Sequence, residues 1–380
     1  MKKVFRDWLR LGGLVSLMWA QMLCPVNKNF LRTSFVALSG FSFRDGGDTL
    51  WVPLAVHVIE KVAGEIPDER VGKQVQILNR DYAAAKIQFY LPRYGPGGVP
   101  TCGVTRTVSP LANHDWTSEE DTLKRSVYWP PDSFLNVWIV SWMPMQVIGY
   151  ARALGDTVSL PGVVLLGDVV GEGPGLRSPY DKGRTAVHEI GHVFSLMHPF
   201  EGGCRGTTPA TCAIEGDEIC DTPPQRQAHY GCPSLSTNTC QEVPTDLPDP
   251  VTNFMGYVDD GCMTHFTPEQ IWRMRLFLLA YGTILISEEN KQARGFRATL
   301  SPSCGSLSAL GSESVNASGQ GREPLISGAK ILGLYDSAGR LIWREGGEKL
   351  DMSTLSPGLY IAIVMRGGIV FSHRLAVGCP

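Results

Sequence analysis

The residues best suited to chemistry lie in the segment AVHEIGHVFSLMHPF, residues 186–200, which combines three histidines with one glutamate. His188 and His192 are four residues apart, so on a helix they lie about 40° apart around the axis and one turn apart along it. Both imidazoles can then reach one tetrahedral zinc ion at the usual nitrogen–zinc distance of about 2.0–2.1 Å. Glu189 belongs to the same turn, where its carboxylate can take a proton from a water molecule on the metal.

His198 is the candidate third ligand, but it follows His188 by ten residues. In a continuous helix it would lie about 15 Å along the axis, too far for a shared ion. The helix must therefore end near Ser195 and turn back if His198 is to bind the same metal. The alternative is a chance H-E-x-x-H with surface or core histidines, because the five-residue pattern alone is only moderately specific. A third histidine at a suitable offset, in a chain with only eight histidines, favours the metal site.

The remaining histidines fit no ligand spacing and are predicted to be structural or surface residues: His57, His114, His229, His265 and His373.

The elements that must position this segment are predicted from the spacing of apolar residues. Residues 51–59 (WVPLAVHVI) are typical of a buried strand, and residues 71–85 carry apolar side chains at helical spacing. Residues 86–92 and 134–142 are predicted strands, the second alternating as a half-buried strand does. Together they predict a mixed α/β domain from Leu50 to about Ile286.

Composition narrows the class of protein. The 380 residues carry 34 Lys and Arg against 37 Asp and Glu, a net charge of −3, which argues against a nucleic-acid-binding protein. Hydrophobic residues make up 43% of the chain and charged residues 19%, enough apolar material for a sizeable core. Ten cysteines, six of them between Cys204 and Cys262, indicate an oxidising compartment or a metal cluster.

The N-terminal segment predicts export. Basic residues precede the apolar run 11–20, which is typical of a secretory signal peptide over residues 1–20. The alternative is a lipoprotein modified at Cys24, but the residues before it lack the small side chains of a lipobox. Residues 21–47 end in a cleavable join at 44–48 and are predicted to be a short pro-segment. Because no later run reaches about 18 uninterrupted apolar residues, no transmembrane helix is predicted and the mature protein is expected to be soluble and exported.

The H-E-x-x-H segment and the later segment NFMGYVDDGCMTHFTPEQIWRMR (253–275) together resemble the metzincin zinc metalloproteases, and within them the bacterial members of the pappalysin family. The resemblance covers roughly residues 48–280. It implies a catalytic domain over residues 48–286, of α/β (α+β) class, with a twisted mixed sheet and an active-site helix. Ser195 departs from the pattern, because metzincins carry Gly there to permit a positive φ at the turn.

The resemblance also implies roles for three residues after the histidines. Met255 forms an apolar floor beneath the zinc. Tyr257 has a hydroxyl that can steady the oxyanion of the tetrahedral intermediate, the alternative being a buried aromatic. Asp260 faces the pocket for the residue just after the scissile bond, where a carboxylate can bind Arg in two-pronged fashion and Lys more weakly. The alternative for Asp260 is that it only caps a turn.

For the cysteines the resemblance implies the disulfides Cys204–Cys240 and Cys232–Cys262, with Cys212–Cys220 as a local addition. A cysteine zinc site is the alternative, but the chain contains no C-x-x-C pair. Cys304 and Cys379 lie at the two ends of the C-terminal zone and can close it. Cys24 is left as a leader remnant, as a partner of Cys102, or as a thiolate that caps the zinc of a latent zymogen.

The segment GDEICDTPPQ (216–225) resembles the calcium-binding loop of the same family. Asp217 and Thr222 are the predicted ligands, with Asp221 as an alternate, because calcium prefers several oxygen ligands. The alternative is an Asp-rich turn without an ion.

Residues 287–328 are predicted to be a linker and the start of the C-terminal module. Residues 329–380 are predicted to form a small antiparallel β-sandwich with turns at DSAG, SPG and RGG. This C-terminal part resembles the sorting domains of the type IX secretion system of Bacteroidetes-type bacteria, the alternative being an ordinary accessory module. The resemblance implies contact with that secretion machinery and release outside the cell or retention at its surface.

These patterns predict a secreted zinc endopeptidase that acts on proteins or peptides and is made as a zymogen, with zinc as catalytic metal and calcium as structural metal. Two alternatives are an inactive metalloprotease-like adhesion or binding protein and a zinc enzyme that acts on a non-peptide bond. The intact histidines and Glu189 disfavour the first alternative, and the Met255 segment disfavours the second.

Overall fold

The structure of the chain is a computed structural model that describes residues 49–156 and 159–296, together with the backbone of four strands between residues 330 and 377. The predicted signal peptide, pro-segment and Cys304–Cys379 disulfide lie outside the described residues.

The strands of the first part are β1 (Leu50–Glu60), β2 (Ile87–Tyr90), β3 (Val104–Val108), β4 (Leu135–Val140), β5 (Gly149–Arg152) and β6 (Gly162–Leu166). Its helices are α1 (Asp68–Asp81), α2 (Glu120–Ser126), α3 (Arg184–Val193), α4 (Pro268–Tyr281) and α5 (Glu288–Ala293).

The six strands form one mixed sheet, in which five follow the order β2-β1-β4-β6-β5 and β3 pairs with β1. β1 is long enough to pair with β2 along its first residues and with β3 along its last, both in parallel. β4 and β6 continue the parallel part, whereas β5 runs antiparallel to β6 at the end of the sheet. The predicted mixed α/β domain is therefore present, and its one antiparallel strand lies at an edge.

β4 differs from its predicted half-buried state, because all six of its residues are buried. Val137 and Ile139 belong to the core that α1 and α3 help to form, whereas Trp138 and Val140 belong to a second apolar cluster. The prediction was wrong because a central strand of a largely parallel sheet is covered on both faces, so alternation carries no exposure signal there.

The fold also extends past the predicted boundary at residue 286, into what was expected to be linker. Ser287 caps α5 by accepting a hydrogen bond from the Asn290 N–H. After α5, the Phe296 ring lies 4.4 Å from Trp51 and 5.1 Å from Tyr90, measured between ring centroids. Residues 287–296 therefore belong to the first folded part rather than to a linker.

The C-terminal zone contains the strands β7 (Lys330–Asp336), β8 (Leu341–Arg344), β9 (Gly358–Arg366) and β10 (Ile369–Val377). They form an antiparallel sheet in the order β10-β9-β7-β8. Antiparallel strands are thus present where they were predicted, while their assembly into a β-sandwich stays a prediction. Among the residues that the structure describes, every helix is too short or too polar to span a membrane.

Candidate active site

The active-site helix α3 is buried along its whole length after Arg184 and ends at Val193. Its entry requires Gly183, whose φ is +69° and whose Cβ, if present, would lie 2.9 Å from the Gly171 carbonyl oxygen. At its exit the chain turns back through Ser195, which has a φ of +76°. The predicted end of the helix near Ser195 is therefore confirmed, and the turn returns His198 to the face that carries His188.

Ser195 is an unfavourable residue at this turn, so we expect Ser195→Gly to stabilise the protein. Its left-handed backbone costs an L-residue about 1–2 kcal/mol, and its buried hydroxyl has no hydrogen-bond partner within the described residues. The greater freedom of Gly in the unfolded chain offsets part of the gain. We expect the free energy of unfolding to rise by about 1 kcal/mol, measured by urea denaturation of zinc-loaded protein. Ser195→Ala removes the hydroxyl but keeps the strain, and a fall in stability for Ser195→Gly would contradict the interpretation.

The three histidines converge through their Nε2 atoms. The Nε2 atom of His192 lies 3.0 Å from that of His188 and 3.0 Å from that of His198. Three nitrogens on a tetrahedral zinc are roughly 3.3 Å apart at ordinary bond lengths, so the spacing fits the ion. The arrangement meets the geometric requirement for a metal site, and all three residues are buried.

Backbone carbonyl groups orient two of these imidazoles. The His188 Nδ1–H donates to the Phe254 carbonyl at 2.9 Å, and the His192 Nδ1–H donates to the Leu196 carbonyl at 2.8 Å. This tautomer leaves each Nε2 lone pair free for a metal. Burial lowers the pKa of His188 to about 3 and that of His192 to about 4, and it lowers the pKa of His198 as well. All three imidazoles are therefore neutral at neutral pH, as metal binding requires.

Glu189 lies in the same helical turn and is buried. Burial raises the pKa of its carboxyl group to about 8. The edge strand β5 approaches it closely at Gly149, where a Cβ atom would lie 3.2 Å from Glu189 Oε1 and 3.0 Å from Thr185 Cγ2. A glycine at this position therefore lets the glutamate and the edge strand share one narrow space.

The segment that follows Asn253 forms the floor of the metal-binding site. Met255 is fully buried against α3, where its Sδ atom would contact any side chain at Gly191. The Asn253 side chain accepts a hydrogen bond from the Met255 N–H at 2.9 Å and exchanges two more with the Gln270 amide. Sequence reasoning missed this amide pair, although Gln270 also completes the capping box of α4 with Thr267. The pair ties the floor of the site to the start of α4.

Tyr257 lies half-buried beside the histidines. Its ring centroid is 4.9 Å from that of His198, 5.6 Å from that of His188 and 4.9 Å from that of Phe200. The structure thus brings the predicted tyrosine to the metal-binding face.

Asp260 has features of both roles predicted for it, the cap of a turn and a carboxylate that faces a substrate pocket. Its Oδ2 atom accepts hydrogen bonds from the Lys182 and Arg184 N–H groups at 2.9 and 3.1 Å, so it caps the entry to α3. Its Oδ1 atom is buried and has no hydrogen-bond partner within the described residues. Burial raises the pKa of this carboxyl group, and the two backbone donors oppose that effect. The cap is thus present, and one oxygen remains for another partner.

Three disulfides confirm the predictions: Cys204–Cys240 and Cys232–Cys262, which the resemblance implies, and the local addition Cys212–Cys220. The alternative of a cysteine zinc site is therefore not supported for these six residues. Cys102 is disulfide-bonded as well. The predictions for Cys24 lie outside the described residues.

The predicted calcium loop contains two buried oxygen atoms without hydrogen-bond partners in the described part of the chain, Asp217 Oδ2 and Thr222 Oγ1. Burial raises the pKa of Asp217 to about 8, against the opposing charge of Arg273. Asp221, the predicted alternate, accepts hydrogen bonds from Thr267 Oγ1 at 2.6 Å and the Glu269 N–H at 2.8 Å. Both of its carboxylate oxygens therefore accept hydrogen bonds from residues at the start of α4.

The histidines predicted to be structural or surface residues stay outside the metal-binding cluster where the structure describes their side chains. His57 is buried between Thr105 and Asn136, and its Nε2 lies 2.9 Å from the Asn136 side-chain oxygen. His114 contacts the Tyr150 hydroxyl at 2.8 Å, and His229 contacts Asp249 at 2.7 Å. His265 is exposed.

Comparison with known protein families matches the part of the chain that contains the histidine cluster. Residues 119–279 match the family model described as pregnancy-associated plasma protein-A. An extracellular metalloprotease of Pyricularia oryzae is 35% identical over 233 residues, which cover 59% of this chain and 74% of the relative. An extracellular metalloprotease of Coccidioides posadasii is 35% identical over 219 residues, which cover 56% of this chain and 69% of the relative.

Solved structures of mirolysin from Tannerella forsythia share the fold. Mature mirolysin in complex with a cleaved peptide is 30% identical, with a TM-score of 0.56 over 65% of this chain and 99% of the other. A promirolysin variant is 26% identical, with a TM-score of 0.58 over 74% of this chain and 95% of the other. With the histidine cluster and Glu189 intact, the chain belongs to the pregnancy-associated plasma protein-A family and is a zinc metalloendopeptidase.

Proposed function

We propose that the chain is a secreted bacterial endopeptidase, made as a zymogen, that cleaves peptide bonds before Arg and more weakly before Lys. The observation that carries this specificity is Asp260, whose Oδ2 caps α3 while its Oδ1 is buried and unpartnered within the described residues. A buried carboxylate oxygen without a donor is costly unless a ligand supplies one. The guanidinium of Arg offers planar paired donors, whereas Lys offers only a point charge.

The chemistry follows from the metal-binding cluster and Glu189. His188, His192 and His198 would hold a zinc ion, which would supply Lewis-acid chemistry and lower the pKa of a water molecule to about 7. Glu189 accepts the proton of the attacking water and passes it to the leaving amine. Its carboxyl group is buried in the same helical turn as His188 and His192, which places it to make both transfers. The Tyr257 hydroxyl stabilises the developing oxyanion from the rim of the same site.

The substrate is proposed to extend along the edge of β5 that pairs with no other strand in the described part of the chain. Leu166 N–H donates to the Ile148 carbonyl at 2.9 Å, and the register pairs Gly149 with Leu165. Because hydrogen-bonded and non-hydrogen-bonded pairs alternate in antiparallel strands, the backbone groups of Gly149 and Ala151 point away from β6. An extended peptide that adds to this edge passes directly beside Glu189, which orients its scissile bond.

A peptide-library digest tests the specificity. We expect Arg to be strongly enriched just after the cut in wild-type digests, with Lys second. Asp260→Asn keeps an oxygen that can cap α3 but removes the charge, so we expect it to remain folded and to lose the Arg enrichment. No enrichment in the wild type, or unchanged enrichment in Asp260→Asn, would rule out the pocket role.

Asp217 and Thr222 are proposed to bind a structural calcium ion. Two buried oxygens of this loop, which have no hydrogen-bond partner within the described residues, suit a hard cation that prefers oxygen ligands. We expect a calcium-specific chelator to lower the melting temperature and the activity while zinc content stays constant. The effect should be absent in Asp217→Asn, and an unchanged melting curve of the wild type at fixed zinc occupancy would remove calcium from the proposal.

Export and activation are proposed from the terminal segments. The relatives are extracellular metalloproteases, and one solved neighbour is a promirolysin, which supports a secreted pro-form. Residues 1–20 would direct the chain across the inner membrane, residues 21–47 would be removed on activation, and residues 329–380 would engage the type IX secretion machinery. Mass spectrometry of the mature protein locates both ends, and a mature chain that begins before residue 44 would contradict activation at the predicted join.

A further inference from the structure

The rim of the active site carries an exposed tyrosine, Tyr230, to which the proposed function assigns no role. About 62% of its side chain is accessible to solvent. Its ring centroid lies 6.2 Å from that of Tyr257, which in turn contacts His188 and His198. Tyr230 is therefore one ring further from the metal-binding cluster, on the side of the cleft formed by the segment that carries Tyr257.

The backbone around Tyr230 is held to that same segment on both sides. The Gly231 carbonyl accepts a hydrogen bond from the Asp259 N–H at 2.9 Å, and Cys232 is disulfide-bonded to Cys262. On the other side, His229 Nε2 lies 2.7 Å from a carboxylate oxygen of Asp249, which is itself buried. The exposed ring is thus presented by a braced stretch of backbone, and its position is coupled to the residues next to Asp260.

A second tyrosine, Tyr180, lies near Asp260. The Asp260 N–H donates to the Pro179 carbonyl at 3.3 Å, which places Tyr180 beside the Asp260 segment. Tyr180 also packs against the apolar cluster that contains Val147. Burial raises the pKa of Tyr180, and the charges of Asp259 and Asp260 raise it further.

We propose that Tyr230, together with Tyr180 beside the Asp260 segment, forms an aromatic slot that stacks on the guanidinium of an Arg side chain on its way to Asp260. The inference rests on the proposed function, because it presumes that Asp260 receives the residue after the scissile bond. A flat, delocalised guanidinium stacks on aromatic faces, whereas a compact ammonium is held less well by such a surface. The slot therefore adds discrimination between Arg and Lys that a carboxylate alone does not supply.

The test compares peptides that differ only in the residue after the cut: Arg, Lys, citrulline, which keeps the flat shape without the charge, and Ala. For Tyr230→Ala we expect kcat/KM for the Arg peptide to fall about threefold to tenfold, mainly through KM. The citrulline peptide should also lose rate, while the Lys peptide loses less and the Ala peptide is unaffected. Tyr230→Phe should retain the wild-type preference, because the ring rather than the hydroxyl makes the contact.

Tyr128→Ala serves as the matched control, because Tyr128 is an exposed tyrosine on the connection between α2 and β4. It should leave all four rates unchanged. If the wild type shows no preference for Arg, the proposed function fails. If the wild type prefers Arg but Tyr230→Ala keeps the same ratios of Arg to Lys and Arg to Ala, only the aromatic slot is overturned. An equal loss for all four peptides in Tyr230→Ala would indicate a structural role and would also overturn it.

Discussion

Glu189→Ala is expected to keep its zinc and to lose about 10²–10⁴-fold in kcat, the range that one general acid–base group contributes. The three imidazoles that hold the ion are positioned by α3, by the Ser195 turn and by carbonyl groups, none of which depends on the Glu189 side chain. Only the group that moves the proton is removed. Cleavage of casein and of an Arg-containing peptide, together with zinc content by mass spectrometry, measures both quantities.

Two further variants make this result specific. Glu189→Gln keeps the size of the side chain beside Gly149 but cannot accept the proton, so we expect it to be as inactive as Glu189→Ala. Glu189→Asp keeps the carboxylate but withdraws it from the cleft, and we expect partial activity. Substantial turnover by Glu189→Ala or Glu189→Gln at full zinc occupancy would disprove the role of Glu189 as base.

Asn253→Ala is expected to destabilise the protein by about 3 kcal/mol, because it leaves two buried donors without acceptors. The Met255 N–H and the Gln270 side-chain N–H both donate to the Asn253 side-chain oxygen. The first donor lies beneath the metal-binding cluster and the second at the start of α4, so the loss of these two hydrogen bonds should destabilise both regions. Urea denaturation measures the effect in the Glu189→Ala background, where self-cleavage does not interfere.

A double-mutant cycle that combines Asn253→Ala with Gln270→Ala measures the interaction between the two side chains apart from the effect of their surroundings. Because the two amides exchange hydrogen bonds, we expect a coupling free energy of about 1–3 kcal/mol. Asn238→Ala is the control, since Asn238 is an exposed amide in the disulfide-bonded loop, and it should have little effect. Additive effects of Asn253→Ala and Gln270→Ala would show that the pair does not act as a unit.

The local chemistry of this protein was predictable from the amino-acid sequence alone. The four-residue spacing of His188 and His192 places both imidazoles on one face of a helix, and a shared metal with His198 requires that this helix end near Ser195, where the structure has a positive φ. Such conclusions depend only on helix geometry and on the steric limits of the backbone, which act over a few residues. The strand β1 and the helix α1 were predictable for the same reason, because their apolar periodicity is local.

Features that depend on residues far apart in the chain arise only in the tertiary structure. Because residues 182–184 fold against residue 260, the Asp260 carboxylate caps α3 with one oxygen, while its other oxygen has no hydrogen-bond partner within the described residues. Gly149 matters because β5 passes beside Glu189, and β4 is buried on both faces because two apolar clusters enclose it. Residue type and spacing encode local geometry, whereas the partners of a buried polar group, the covering of a strand and the contacts of Phe296 arise only when the whole chain has packed.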